Sequence, residues 1–291
     1  MQSPLISWFI AFFTAVATFT QGSPDKCVAA VKSLEATVDK RLQKLEADVR
    51  AIYLGLNPQG TPFTSCREIY LKHKSQVNKA YFLQIGSRKI HVYCHMSNYG
   101  IGACGGGGWT MVMKIDGQKS TFQYASKLWN NKNEFNLPGG KTGFDHKETK
   151  LPTYWNLPFS QICLVMKMGQ QIRSFVMNKH ANSLYSLIAD NRYRSTSLGR
   201  NMWKTLIGSQ ASLQPFCNKE GFNVVSVNHH YSKARIGIIS NQENECKSCD
   251  SRIGFGTGGL HDDSNSCGNE ATRLPDNGDK HIKTMGYILV K

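Results

Sequence analysis

Ser65-Cys66-Arg67-Glu68-Ile69, Tyr93-Cys94-His95-Met96 and Gly106-Gly107-Gly108-Trp109-Thr110-Met111-Val112 set the frame for reading this chain. Between the two cysteines, Tyr81-Phe82-Leu83-Gln84-Ile85 and Lys89-Ile90-His91-Val92-Tyr93 alternate apolar and polar residues on either side of Gly86-Ser87. A period of two around such a pair predicts two β-strands joined by a tight turn. A Cys66–Cys94 disulfide across them would staple the start of a domain. The glycine run lacks the Lys-Ser/Thr of a phosphate loop and does not precede a helix. It predicts close backbone packing ahead of Trp109.

Downstream, strands are predicted at 110–115, 162–168, 171–177, 223–227, 234–239 and 285–290, and short helices at 183–190 and 201–208. Gly105–Gly108, Leu137-Pro138-Gly139-Gly140, Gly254–Gly259 and Pro275-Asp276-Asn277-Gly278 read as turns. Few helices among many short strands predict an α+β domain over 64–291 with an irregular, loop-rich C-terminal third. Tryptophans 109, 129, 155 and 203 are expected in its core.

Upstream, residues 1–22 carry no charged side chain, and Leu5–Phe19 is an almost continuous apolar run. That run is short for a membrane span and suits a signal peptide cleaved before Ser23, with an uncleaved anchor as the other reading. From 23 to 57 a helical stalk is predicted, with Ser23 as N-cap and Pro24 at its first position. Val28, Glu35, Leu42, Val49 and Leu56 repeat every heptad, and Val31, Val38, Leu45 and Ile52 repeat in the complementary register. These are the a and d positions of a coiled coil, with Arg41 at g and Glu46 at e. A single amphipathic helix packed on the domain is the competing reading. Residues 58–63 form a linker around Pro58 and Gly60.

All nine cysteines follow residue 22. In a secreted chain they are expected as bridges rather than metal ligands or nucleophiles. Cys27, the odd one near the stalk, is the candidate for an interchain disulfide. The net charge of +15 is scattered; outside the cell it points to polysaccharides and acidic matrix rather than nucleic acid, or simply to a solvated positive surface. No N-glycosylation sequon occurs.

The opening motif resembles that of the fibrinogen-like C-terminal domain family, which includes the ficolins and, more distantly, the intelectins. Supporting segments are Trp129-Asn130-Asn131-Lys132, Glu134-Phe135-Asn136, Lys147–Leu151, Tyr154-Trp155, Ile162-Cys163-Leu164 and Gly286–Val290. Cys246-x-x-Cys249, Ile253–Gly259 and Cys267-Gly268 look closer to intelectins and to secreted cnidarian proteins of extracellular and coral skeletal organic matrices. The resemblance implies extracellular binding rather than catalysis. It also implies a calcium site before the late cysteine. Family members use two aspartates one residue apart, whereas Asp262 and Asp263 are adjacent here; in intelectins a His and acidic residues hold calcium and the sugar diol together. His261, Asp262, Asp263 and Glu270 are the chemically plausible calcium ligands, a hydrated turn being the other reading. Asp276, Asn277 and Asp279 form a weaker oxygen cluster.

The expected bridges are Cys66–Cys94, Cys217 with Cys246 or Cys249, the remaining one of that pair with Cys267, and Cys104–Cys163. A Cys₃His zinc site from Cys246, Cys249, Cys267 and His261 competes with this pattern. So does a redox pair at Cys246-x-x-Cys249. His229-His230 reads as surface. Together these features predict a secreted, non-enzymatic adhesion or matrix protein, self-associating through its stalk and binding glycans, glycoproteins or acidic matrix, with a mineralised organic matrix as one setting, and with no membrane span after cleavage. A calcium-dependent lectin of innate recognition and a secreted redox enzyme are the rivals.

Overall fold

The computed structural model describes residues 24–56 and 62–291. The expected leader, the Ser23 cap, the Cys27 side chain and most of the linker lie outside the described residues. The chain divides into two units, 1–61 and 62–291. The described part of the first is one helix, α1 (Pro24–Leu56). Its Val28, Val31, Val38, Leu42, Leu45 and Val49 are all between 48% and 60% exposed among the described residues. No described helix is long and apolar enough to cross a membrane.

The second unit opens on α2 (Cys66–His73). Ser65 caps it by accepting a hydrogen bond from the Glu68 amide at 3.2 Å, and the Glu68 carboxylate accepts one from the Thr64 amide at 2.9 Å. These reciprocal bonds satisfy donors that a helix start leaves bare. Thirteen strands are described: β1 (Lys79–Ile85), β2 (Arg88–His95), β3 (Trp109–Asp116), β4 (Thr149–Lys150), β5 (Phe159–Met168), β6 (Gln171–Ala181), β7 (Arg194–Ser195), β8 (Phe216–Val225), β9 (Lys233–Asn241), β10 (Ser251–Gly258), β11 (Cys267–Ala271), β12 (Lys280–Lys283) and β13 (Met285–Val290). Short helices α3 (Thr153–Asn156), α4 (Leu184–Ile188) and α5 (Arg200–Thr205) lie between strands.

Two antiparallel sheets result. One runs β1-β2-β3-β13-β5-β6, with β4 added against β3; the other runs β12-β11-β10-β9-β8-β7. The predicted hairpin is present, with Ile85 opposite Arg88 and Gly86 turning at φ +61°. The main core lies where Ile288, Val290, Ile162 and Leu164 meet Ile236, Ile238, Ile253 and Phe255, with Trp129 and Trp203 beside them. The other face of the first sheet packs Leu83, Val92, Met111, Val165, Tyr287 and Leu289 around Cys66–Cys94 and Cys104–Cys163. Cys66–Cys94 ties α2 to β2 across 28 residues of chain, worth roughly 3–4 kcal/mol on a chain-entropy argument. The glycine run packs as expected, since a Cβ at Gly107 would sit 2.0 Å from the Met96 carbonyl oxygen.

The C-terminal third departs from expectation. Long loops remain at 242–250, 259–266 and 272–279, but most of its strands belong to a six-stranded sheet with a register shift in β8, and Gly254, read from sequence as a turn residue, lies inside β10. Gly221, Gly237, Gly254 and Gly268 stand opposite one another across β8, β9, β10 and β11. A Cβ on Gly237 would lie 2.5 Å from the Ile253 carbonyl and 3.0 Å from the Gly254 Cα. Side chains are excluded along this row because the strand backbones approach too closely. Gly237→Ala and Gly254→Ala are each expected to cost about 1–3 kcal/mol through overpacking, read as a lowered midpoint in chemical denaturation.

Candidate functional site

Loop 259–266 joins β10 to β11 and carries His261, Asp262 and Asp263; Glu270 follows on β11. The four residues take separate partners. His261 Nε2 lies 3.0 Å from Asp250 Oδ1. Asp262 accepts from the Ser264 amide at 2.9 Å and pairs with the Lys283 ammonium at 3.5 Å. Burial opposes its ionisation, but Ser264 and Lys283 outweigh that and hold the carboxyl below the usual range. Asp263 accepts from the Gly259 amide at 2.5 Å. Glu270 is fully buried with Oε1 2.6 Å from His281 Nδ1. Its burial raises the carboxyl pKa against the pull of Arg252 and His281.

At the middle of this loop is a cation of the chain itself. Arg252 on β10 stands opposite Glu270, which in turn stands opposite His281 on β12. Its guanidinium is fully buried and donates to the carbonyls of Leu260, at 3.1 Å, and Asp262. Burial pushes it down to about 10, so it remains charged at neutral pH. Carbonyls of this kind are what a calcium loop would offer; here a rigid fork of N–H donors takes two of them. The expected ligand set is therefore not gathered around one centre. In the weaker cluster, Asp276 accepts from Lys204 at 2.6 Å and from Arg200, while Asn277 donates to the Ser209 and Ala211 carbonyls.

Among the described residues, the one group of three potential metal-ligand atoms within 4.8 Å of one another is Cys217, Cys246 and Cys249. Cys217 and Cys246 form a disulfide, which consumes two of the sulfurs. Cys249 is a free, buried thiol beside it, packed with Val224 and Ile239. The expected bridge from this pair to Cys267 is absent, because β10 runs between the two residues. Cys249 lies beyond the Ser251–Ala271 pair and Cys267 opposite Phe255. Four residues of strand separate those pairs by about 13 Å, twice what a disulfide spans. Cys267 is instead a core residue, its sulfur 3.5 Å from Thr284 Oγ1. The same separation parts the Cys₃His zinc set.

Two buried lysines escaped the sequence reading. Lys150 Nζ donates to the Leu128 carbonyl at 2.5 Å and the Asn131 carbonyl at 2.7 Å and lies 4.8 Å from the Tyr154 ring centre. It fixes the turn that carries buried Trp129, and burial pushes it down to about 8. Lys114 on β3 pairs with Asp145 at 2.6 Å. The available signal was a lysine inside a strand of otherwise apolar or β-branched neighbours. His229 and His230 are exposed.

Chelator is expected to leave the melting temperature of the body unchanged, since Arg252 supplies the cation of the loop. Arg252→Met should lower it by several degrees in differential scanning calorimetry. Lys150 binds a proton less readily folded than unfolded, so between about pH 8 and its ordinary value the unfolded state carries more protons and stability rises with pH. Denaturation of wild type and Lys150→Met across that window should show the rise in wild type and its loss in the variant.

No family model matches the sequence, and no curated protein matches it. Among solved structures, the chain is similar to the fibrinogen-like globe domain of human ANGPTL6 at 13% identity, over 78% of this chain and 95% of that one, with a TM-score of 0.34.

Proposed function

We propose that this is a secreted, non-enzymatic adhesion or matrix protein in which α1 joins several copies and a fibrinogen-like body binds glycans or acidic matrix partners. The carrying observation is the exposed heptad seam of α1. A second copy is the occupant that the pattern fits: the a and d positions repeat in one register, and Arg41 and Glu46 fall at the g and e positions that face across a parallel coil. Cys27, the odd cysteine of the chain, is the candidate to lock the pairing by an interchain bridge. The opening cysteine motif and its resemblance support the fibrinogen-like assignment. Three disulfides within the body are compatible with an extracellular protein.

The charge supports an anionic partner. Among the described residues only Lys114, Lys150, Arg235 and Arg252 of the lysines and arginines are buried, so nearly all the positive excess faces solvent. Exposed, dispersed charge gives weak contacts that multiply when bodies are linked. A mineralised organic matrix is the leading setting, because such matrices present dense carboxylate and sulfate.

Sedimentation of the full chain at micromolar concentration, with Cys27 alkylated, is expected to show an oligomer that Leu42→Asp/Leu45→Asp converts to monomer. On an immobilised sulfated polysaccharide the variant should elute at lower salt than wild type. A monomeric wild type would sink the stalk. Binding abolished by chelator and by free sugar would replace the matrix reading with the lectin.

A further inference from the structure

Beyond the adhesive reading, and independent of it, we infer that Cys217, Cys246 and Cys249 form a thiol–disulfide exchange site that releases Cys246 for modification by low-molecular-weight disulfides. The Cys249 sulfur lies 3.6 Å from the Cys217 sulfur, which is already bonded to Cys246. A free thiol at van der Waals distance from a disulfide is a resident nucleophile. The Cys249 thiolate attacks Cys217 Sγ, the Cys217–Cys246 bond breaks, and its electron pair leaves with Cys246, which takes up the proton that Cys249 lost. One disulfide and one thiol exist before and after, so no oxidant enters. The product is a Cys217–Cys249 bridge and a Cys246 thiol.

The placement makes this a change of accessibility as well as of bonding. Cys249 is fully buried, whereas Cys246 is only half-buried in the loop between β9 and β10. Exchange therefore moves the reactive sulfur from the interior toward solvent. A small disulfide RSSR can then accept attack from the Cys246 thiolate, giving a Cys246–SR mixed disulfide and RS⁻. Exposed Phe216 and Val227 flank the bridge, the Val227 amide donating a hydrogen bond to the Cys246 carbonyl at 2.9 Å.

The surroundings keep the step slow at neutral pH. Burial pushes the Cys249 thiol up to about 11; Glu245 on the same loop and Asp250 beyond it add to the rise, while Lys219 on β8 and the Ser226 hydroxyl oppose it. The three sulfurs also form a compact triangle, so a side chain must turn before the attack is in line. Only the thiolate attacks, so the rate follows its scarce fraction and climbs about tenfold per pH unit below that value.

The test is incubation of the native full-length protein with oxidised glutathione at pH 7, 8 and 9, followed by acid quenching and disulfide mapping by mass spectrometry. The expected adduct is on Cys246, with a Cys217–Cys249 bridge, forming about tenfold faster per pH unit. Cys249→Ser should abolish the adduct while keeping Cys217–Cys246. Mapping of wild type alone decides the matter if that variant fails to fold. An adduct on Cys249 with Cys217–Cys246 intact, a Cys246–Cys249 bridge, or no adduct at pH 9 would each overturn the assignment.

Discussion

Strand β13 holds the body together because it is buried on both faces while pairing on both edges. Its six residues, Met285 to Val290, are all buried, and its neighbours are β3 and β5. Ile288 and Val290 enter the core between the sheets; Tyr287 and Leu289 enter the layer beneath α2 and the hairpin. A strand with no polar face cannot rest at a sheet edge, where one row of backbone groups would stay unpaired. The last strand of the chain thus completes a sheet begun far earlier, and the two hydrophobic layers share it as a common wall.

Around that wall, loops are organised by cations supplied by the chain. Arg252 gathers the carbonyls of loop 259–266, and Lys150 those of the turn at Trp129. Arg235 joins Tyr124, Asn191 and Asn223. Burying a charge is costly unless carbonyls or carboxylates surround it. Once they do, the charge fixes their positions, and this body has several such centres. Disulfides perform the matching task in the outer layer, where Cys66–Cys94 ties α2 to β2 and Cys104–Cys163 ties the segment before β3 to β5.

Local pattern made much of this legible. The Cys66–Cys94 hairpin, the strands near 110, 162, 171, 234 and 285, the heptads of α1 and the buried tryptophans 109, 129 and 203 follow from periods of two or seven and from turn residues close in sequence. The Ser65-x-x-Glu68 cap is equally local, both of its bonds closing within four residues. The candidate site was less legible. His261, Asp262, Asp263 and Glu270 do lie close along the chain, yet the side chains that claim three of them, Asp250, Lys283 and His281, come from other strands and turns.

By itself, the sequence determined a sheet-rich body with an early cysteine staple, and a long helix with a heptad-spaced apolar seam. Each is a property of neighbours within a few turns or one hairpin. Only the tertiary structure decided that four glycines would align across β8 to β11 and turn a supposed loop region into sheet. It also decided that Cys249 would meet Cys217 rather than Cys267, and that an arginine would occupy the middle of an acidic loop. Those outcomes depend on strand register, which brings together residues tens of positions apart and which side-chain sequence alone leaves open.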